Sequence, residues 1–419
     1  MTLDAWLERI ERLHVRPIDL SLERVREVAQ RLALQLDCAA IIVGGTNGKG
    51  STCAMLDSIL RSAGYRIGLY TSPHLLRFNE RAQIDGAAAN DATLVAQFEA
   101  VEAARGDTPL TYFEFSTLAI LRLFAQSCLD AAILEIGLGG RLDAVNLVDA
   151  DCAIVTSIDL DHMDYLGDTR ERIGWEKAHI YRTRKPAICA DPRPPQSLIE
   201  HAAAIGSDLW RFGRDFNYPG DRQQWAYGGR SQRRSGLPYP ALRGANQLLN
   251  AAGALAALEA LAARLPVSQQ AVRQGLLTVE IAARFQVMPG QPAVIFDVAH
   301  NPHAAAVLAQ NLDGMGFYPR TFAVFGMLRD KDIAGVARRV AGRIDRWFVG
   351  PTAGSRGTDA AQMREALQAA GVACDAIEFH DDLASAYAGA RDTAAPEDRI
   401  LVFGSFVTVA EVMRARSEG

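Results

Sequence analysis

The segment Gly44-Gly45-Thr46-Asn47-Gly48-Lys49-Gly50-Ser51-Thr52 follows the apolar run Ala39-Ala40-Ile41-Ile42-Val43 and precedes a helical pattern through Met55, Leu56, Ile59 and Leu60. A strand, a glycine-rich turn and a helix start, in that order, suit nucleotide phosphates. Glycines let backbone N–H groups approach the phosphate oxygens, the helix N-terminus adds positive partial charge, and Lys49 adds a full one. The general pattern G-x-x-x-x-G-K-[ST] is not met, because Val43 stands where its first glycine belongs and Gly50 follows the lysine. The hydroxyls are displaced to Ser51 and Thr52. ATP or a relative is the expected ligand, against the alternative of a turn that merely closes a tight loop.

Other reactive side chains stand where strand-like runs end. Leu134-Glu135-Ile136-Gly137-Leu138-Gly139-Gly140-Arg141-Leu142-Asp143 sets a carboxylate at a strand end ahead of a glycine-rich turn. Glu135 suits the magnesium that accompanies ATP, since hard divalent ions take carboxylate and phosphate oxygens; the alternative is a glutamate satisfied by turn N–H groups. His162 falls just past another strand, among Asp159, Asp161 and Asp164, which bind a cation or simply solvate a loop. Thr71-Ser72-Pro73-His74 follows the strand ending at Tyr70 and offers a hydroxyl for a magnesium shell. Lys177 lies on a helix soon after His162, where a surface lysine paired with Glu176 is the ordinary reading. Asp297-Val298-Ala299-His300-Asn301-Pro302-His303 again ends a strand with an acid and adds two imidazoles, although Asn301-Pro302 is equally a plain helix start. Upstream, Arg284 is suited to clamping ATP phosphates.

Alternating strand-like and helical patterns must position these groups, which predicts an α/β class with a mainly parallel sheet. Strands are expected at Arg66–Tyr70, Asp130–Ile136 and Ala153–Ser157, with helices at Phe113–Phe124 and about Arg170–Tyr181. Ligands in open α/β sheets gather at strand C-terminal ends. Residues 206–240, rich in Gly, Arg and Pro, read as a surface hairpin whose basic cluster Arg230, Arg233, Arg234 is a solvated turn without a nucleic-acid role. Alanine-rich helices follow over 245–278. A second series has strands at Ala293–Phe296, Thr321–Phe325, Trp347–Val349 and Ile400–Phe403, and Met288-Pro289-Gly290-Gln291-Pro292 reads as a hinge. The expected division is residues 1–286, an ATP-binding P-loop-type domain, and residues 287–419, a smaller Rossmann-like α/β domain.

A chain of 419 residues suggests two or three domains, and 49% hydrophobic with 22% charged residues describes a globular protein with ample core. A net charge of -5 argues against a dedicated nucleic-acid binder, so attraction for an anionic substrate must be local. The six cysteines are scattered singly without C-x-x-C spacing, as reduced thiols of a cytoplasmic protein are. The N-terminus is amphipathic and acidic, unlike a signal or transit peptide, and the most apolar stretch, Ala251–Ala263, is too short to span a bilayer.

Together the motifs resemble those of the folylpolyglutamate synthase/dihydrofolate synthase family, within the Mur ligase superfamily, over nearly the whole chain. The resemblance is carried by Gly45-Thr46-Asn47-Gly48-Lys49-Gly50-Ser51, Ser72-Pro73-His74-Leu75, Thr111-Tyr112-Phe113-Glu114, Glu135 to Ala144, the Asp161-His162 pair, Glu176-Lys177-Ala178, Gly326 to Asp332, and Asp297 to His303. It implies that Asn47, Gly48, Lys49 and Gly50 wrap the ATP phosphates with Ser51 near magnesium, and that Asn250, Arg284 and Asp297 contact ATP. It implies two magnesium sites drawing on Ser72, Glu135 and His162, and Lys177 carbamylated to N6-carboxylysine. His300 would lie beside the L-glutamate site. The pterin or folate pocket would use Ile18, Asp19, Leu20, Thr111, Tyr112, Phe113, Glu114, Leu142, Asp143 and Ala144. Pro17, Ser21 and Val145 depart from the family's usual residues, and these departures bear on the acceptor pocket.

The implied reaction phosphorylates a pteroyl carboxylate with ATP, and the amine of L-glutamate displaces phosphate from the acyl phosphate. Dihydropteroate would give dihydrofolate, and tetrahydrofolate glutamates would give polyglutamates, in a monomeric cytoplasmic enzyme with no nucleic-acid or membrane partner. No G-x-S-x-G elbow or other nucleophile signature is present. Alternatives are a polyglutamate synthase alone, a Mur-type ligase with another acceptor, or a nucleotide-dependent switch, which would not need the Asp297 and His300 constellation.

Overall fold

The computed structural model describes residues 1–16, 18–221, 223–354 and 356–418, so Pro17 lies outside the described residues. The chain divides into two compact units, Met1–Ala241 with Leu248–Val279, and Leu242–Gln247 with Glu280–Gly419. Both are α/β.

In the first unit the apolar runs become the central strands. β1 (Ala39–Gly44) is buried along its whole length, as runs covered on both faces must be. The other strands are β2 (Ile67–Tyr70), β3 (Ala82–Ile84), β4 (Ala87–Ala88), β5 (Ala131–Glu135), β6 (Cys152–Val155), β7 (Pro186–Cys189) and β8 (Asp208–Arg211). They form one sheet in the order β4-β3-β2-β5-β1-β6-β7-β8. All neighbours from β2 to β8 run parallel, and only β3 and β4 at the edge are antiparallel. Because β2, β5, β1 and β6 are adjacent and parallel, their C-terminal ends deliver four loops to one edge. Helix Lys49–Ser62 follows the β1 loop, helices Met163–Leu166 and Arg170–Ala178 follow the β6 loop, and helix Tyr112–Ala125 leads into β5.

The hairpin expected within 206–240 exists as β9 (Trp225–Gly228) and β10 (Arg233–Leu237), and it differs from the expectation in being fastened down. Trp225 and Tyr227 are buried, and Tyr227 donates to Glu259 at 2.7 Å. The basic cluster is also paired: Arg230 bridges Asp208 and Asp215, and Arg234 reaches the Val267 carbonyl. Aromatic residues at alternate positions, Trp225 and Tyr227, share one strand face, and that spacing was the signal of the burial.

The second unit holds β11 (Gln286–Met288), β12 (Ala293–Asp297), β13 (Thr321–Phe325), β14 (Arg346–Val349), β15 (Ile377–Phe379) and β16 (Arg399–Phe403), in the order β11-β12-β16-β13-β14-β15. Met288 to Pro292 is not a hinge. It connects β11 to the antiparallel β12 inside this unit, because Pro and Gly serve a hairpin turn as readily as a linker.

Candidate active site

The phosphate loop leaves β1 through Gly45 and reaches Gly48, which precedes the helix Lys49–Ser62. Both glycines are required. Gly45 has φ +140° and Gly48 φ +92°, and a Cβ would lie 1.8 Å from Thr156 Oγ1 on the first and 2.5 Å from Asn250 Oδ1 on the second. Asn250, 6% exposed, therefore packs against the loop. No side chain caps the helix, so its first N–H groups are not spent on a capping residue.

The loop after β6 holds the phosphate loop in shape. Thr46 N–H donates to Ser157 O at 2.7 Å, while Thr156 Oγ1 donates to Gly44 O and Asn47 O and Ser157 Oγ to Asn47 O. The sequence pattern places Thr156 and Ser157 at the end of an expected strand and gives them no such role. The only signal was a hydroxyl pair after an apolar run.

Two ammonium groups meet on one carbonyl. Lys49 Nζ donates to Gly45 O at 3.2 Å and Thr46 O at 3.1 Å, and Lys177 Nζ donates to Gly45 O at 2.9 Å. Lys177 is not a surface residue: it is 4% exposed, and Glu176 instead holds Arg141 at 3.0 Å. Burial, then repulsion by Lys49, pushes its pKa down to about 7 against the pull of Asp161, Asp143 and Glu176. A large share of Lys177 is thus neutral amine near neutral pH. Gly140 makes this packing possible, since a Cβ there would meet Glu176 O at 2.7 Å.

Glu135, at the end of β5 and 4% exposed, lies between the β2 and β1 loops. Its Oε2 accepts the Ser72 N–H at 3.1 Å, which ties the β2 loop to β5. His162 adopts φ +50° before the short helix Met163–Leu166, and its N–H donates to Asp161 Oδ1. Among the described residues no group of three or more His, Cys, Asp or Glu side chains is gathered around a metal position. A nucleotide-borne magnesium needs fewer protein donors, because phosphate oxygens and water complete its octahedron. Ser51, Ser72, Glu135 and His162 supply hydroxyl, carboxylate and imidazole groups of that kind.

The residues expected around the pterin belong to connected segments of the same unit. Thr111 caps the helix Tyr112–Ala125 in a reciprocal box: Oγ1 accepts from Glu114 N, and Glu114 Oε2 accepts from Thr111 N at 2.7 Å. Arg24 donates to Glu114 Oε1 at 2.9 Å and to Asp19 Oδ2 at 3.2 Å, joining the 18–20 segment to that cap. Ile18 and Leu20 are half-buried. Phe113 stacks on Tyr70 with ring centres 6.4 Å apart. Asp143 is buried; its carboxylate accepts the N–H groups of Leu138 and Val145, and burial raises its pKa to about 6. Leu142 and Ala144 flank it. Arg24 is a further residue of this region that motif reading missed.

In the second unit Asp297 ends β12 and accepts from Phe285 N–H and Ala299 N–H, each at 2.8 Å. Burial raises its pKa, opposed by the Ala299 N–H and the Arg284 charge. Arg284 Cζ lies 5.0 Å over the Phe406 ring, and the His300 ring is 6.4 Å from it. Asn301 caps the helix Pro302–Asp313 by accepting from Ala304 N–H, so its helix-start reading is the one seen. Arg284, Asp297 and His300 thus form a local group around β12 and Phe406.

With known proteins the correspondence is extensive. The Mur ligase middle domain matches residues 43–258, and the Mur ligase glutamate ligase domain matches residues 283–406. The chain is 46% identical over 412 residues to the dihydrofolate synthase/folylpolyglutamate synthase of Escherichia coli (strain K12), covering 98% of this chain and 94% of that protein. It is 39% identical to its namesake from Haemophilus influenzae, with coverage of 98% and 96%. Among solved structures, E. coli FolC in complex with DHPP and ADP superimposes with a TM-score of 0.95 at 45% identity, covering 100% of this chain and 98% of that one. A bifunctional folylpolyglutamate synthase/dihydrofolate synthase with Mn, AMPPNP and L-glutamate bound gives 0.92 at 44% identity, with the same coverage.

Proposed function

The chain belongs to the Mur ligase family, in its dihydrofolate synthase/folylpolyglutamate synthase branch, and on that footing we propose that it joins L-glutamate to pteroyl acceptors at the expense of ATP. Dihydropteroate gives dihydrofolate, and tetrahydrofolate glutamates are extended to polyglutamates. The observation that carries this reading is the convergence of Lys49 and Lys177 on Gly45 O, one strand away from the buried carboxylate of Glu135.

A carboxylate and an amine do not condense in water without activation. An acceptor carboxylate oxygen attacks the γ-phosphorus of ATP and ADP departs. The amine of glutamate then attacks the acyl carbon, losing a proton as inorganic phosphate leaves. Such chemistry asks for positioned charge rather than a protein nucleophile. Lys49 and the glycine cradle hold the phosphates, with Asn47, Gly48, Gly50 and Asn250 around them, and Arg284 and Asp297 as ATP contacts. Ser51, Ser72, Glu135 and His162 are the proposed donors to two magnesium ions, which when bound neutralise charge on the transferring phosphoryl group. His300 is assigned to glutamate. Ile18, Asp19, Leu20, Thr111 to Glu114 and Leu142 to Ala144 are assigned to the pterin, with Asp143 and Glu114 mainly shaping their segments.

Lys177 is proposed to be carbamylated. Its neutral amine attacks carbon dioxide and loses a proton, turning a buried cation that Lys49 repels into an anion that Lys49 attracts. The lowered pKa supports this by supplying the nucleophilic form. No helix among the described residues is long and apolar enough to cross a membrane, and the cytoplasm is the proposed location.

The test is ADP release with ATP, magnesium and L-glutamate, offering dihydropteroate or tetrahydrofolate and weighing the products. Turnover with both supports the bifunctional reading. Turnover with tetrahydrofolate alone reduces it to polyglutamate synthesis, and silence with both overturns the acceptor class.

A further inference from the structure

Arg81 ends the short 3-10 turn Phe78–Arg81 just before β3, and its main-chain oxygen accepts from Thr71 N–H at 3.2 Å. It therefore stands beside the end of β2, at the root of the loop that carries Ser72 and His74. Only 7% of the residue is exposed. A guanidinium does not shed its proton, so its burial leaves a fixed positive charge that requires an anion. Among the described residues no carboxylate supplies one. Nε donates to His74 Nδ1 at 2.8 Å, and Cζ lies 5.5 Å from the Phe78 ring centre and 5.4 Å from that of Tyr112. The adjacent Glu80 is spent on the N–H groups of Leu75, Leu76 and Arg77. Neither Nη group has an acceptor among the described residues, and neither is among the fully enclosed polar atoms, so both reach accessible space.

We infer that Arg81 binds the reacting carboxylate of the pteroyl acceptor, which provides the counter-charge the protein withholds. This rests on the acceptor class proposed above. Tyr112 lies on the aromatic side assigned to the acceptor, and the β2 loop beyond His74 is bound through Ser72 to Glu135, on the metal side. The guanidinium thus touches both an aromatic ring of the proposed acceptor region and the loop that reaches Glu135 through Ser72. Two parallel N–H donors fit a carboxylate as a fork, and His74 and the two rings restrain the guanidinium that presents them. A lysine would supply charge without the fork.

The inference is tested by a thermodynamic cycle on equilibrium binding in the presence of ADP and magnesium. Dihydropteroate and its analogue lacking the carboxylate are titrated into wild-type protein, Arg81→Lys and Arg81→Gln, with thermal melting as a check on folding. In wild type, loss of the carboxylate should weaken binding roughly thirty-fold. In Arg81→Gln the two ligands should bind within about three-fold of one another, and Arg81→Lys should fall between. A merely structural role would weaken both ligands together and leave their ratio intact. A ratio preserved in a folded Arg81→Gln overturns the inference while leaving the acceptor class standing. Wild-type protein that binds neither ligand overturns the acceptor class and the inference with it.

Discussion

Lys177 carries the clearest consequence at the scale of a single residue. Its ordinary pKa of 10.5 in the unfolded chain falls to about 7 in the fold. Below pH 7 both states hold the proton and the fold bears the cost of a buried charge. Between pH 7 and about 10.5 the unfolded chain holds more protons than the folded one, so stability rises with pH across that window. Unfolding free energies from urea titrations of carbon dioxide-free, metal-free protein should therefore climb over this range by an amount of order a few kcal/mol, and Lys177→Met should lose that climb. Equal pH slopes in the two proteins would contradict the burial argument. Carbamylation adds an independent readout: intact mass should show one added carbon dioxide, more at pH 8 than at pH 6 under bicarbonate, and none in Lys177→Met. None of this was legible from the residue type. Lysine on a helix beside a glutamate reads as a surface pair, and its burial depends on Gly45 and Gly140, distant in sequence. That Glu135 would be a paired carboxylate was legible, because an acid ending an apolar run must meet a partner, and it accepts the Ser72 N–H.

Between elements, the fold works by tying loops that leave neighbouring strands. Gly45→Ala would force a Cβ to 1.8 Å from Thr156 Oγ1 at a φ that side chains avoid, and should cost about 2 kcal/mol or more. Thr156→Val removes the donor to Gly44 O and Asn47 O and should cost about 1–2 kcal/mol. Both should shrink the rise in melting temperature that ADP gives, and an undiminished rise would separate this tie from nucleotide binding. Arg24→Met should loosen the 18–20 segment from the Glu114 cap, raising the acceptor KM several-fold while leaving the ATP KM near wild type. Parallel changes in both would make Arg24 a general stabiliser. The strands themselves were readable: β1, β5 and β6 are continuous apolar runs within a residue or two of their expected limits, as doubly covered parallel strands are. β11 and β15, three residues each, were not, because so short a segment has no periodicity to read. The turn at Met288 to Pro292 shows the same limit from the other side, since its composition suits a linker and a hairpin equally.

At the scale of the whole molecule, two α/β units supply a phosphate loop on one sheet and an acid with two imidazoles on another, and the proposed reaction has an order that can be traced. If the acceptor carboxylate attacks ATP first, one of its oxygens becomes the bridge of an acyl phosphate and leaves with phosphorus. Dihydropteroate labelled in both carboxylate oxygens with heavy oxygen should therefore yield inorganic phosphate carrying one labelled oxygen per turnover, and dihydrofolate retaining the other in its new amide. Hydrolysis of ATP by water uncoupled from ligation would give unlabelled phosphate, because its added oxygen comes from solvent. Without L-glutamate, ADP release should fall sharply if the acyl phosphate awaits the amine rather than water. Alanine at His162 should lower labelled and total phosphate in proportion if the residue serves phosphoryl transfer. A rise in the unlabelled fraction alone would assign it instead to keeping water out.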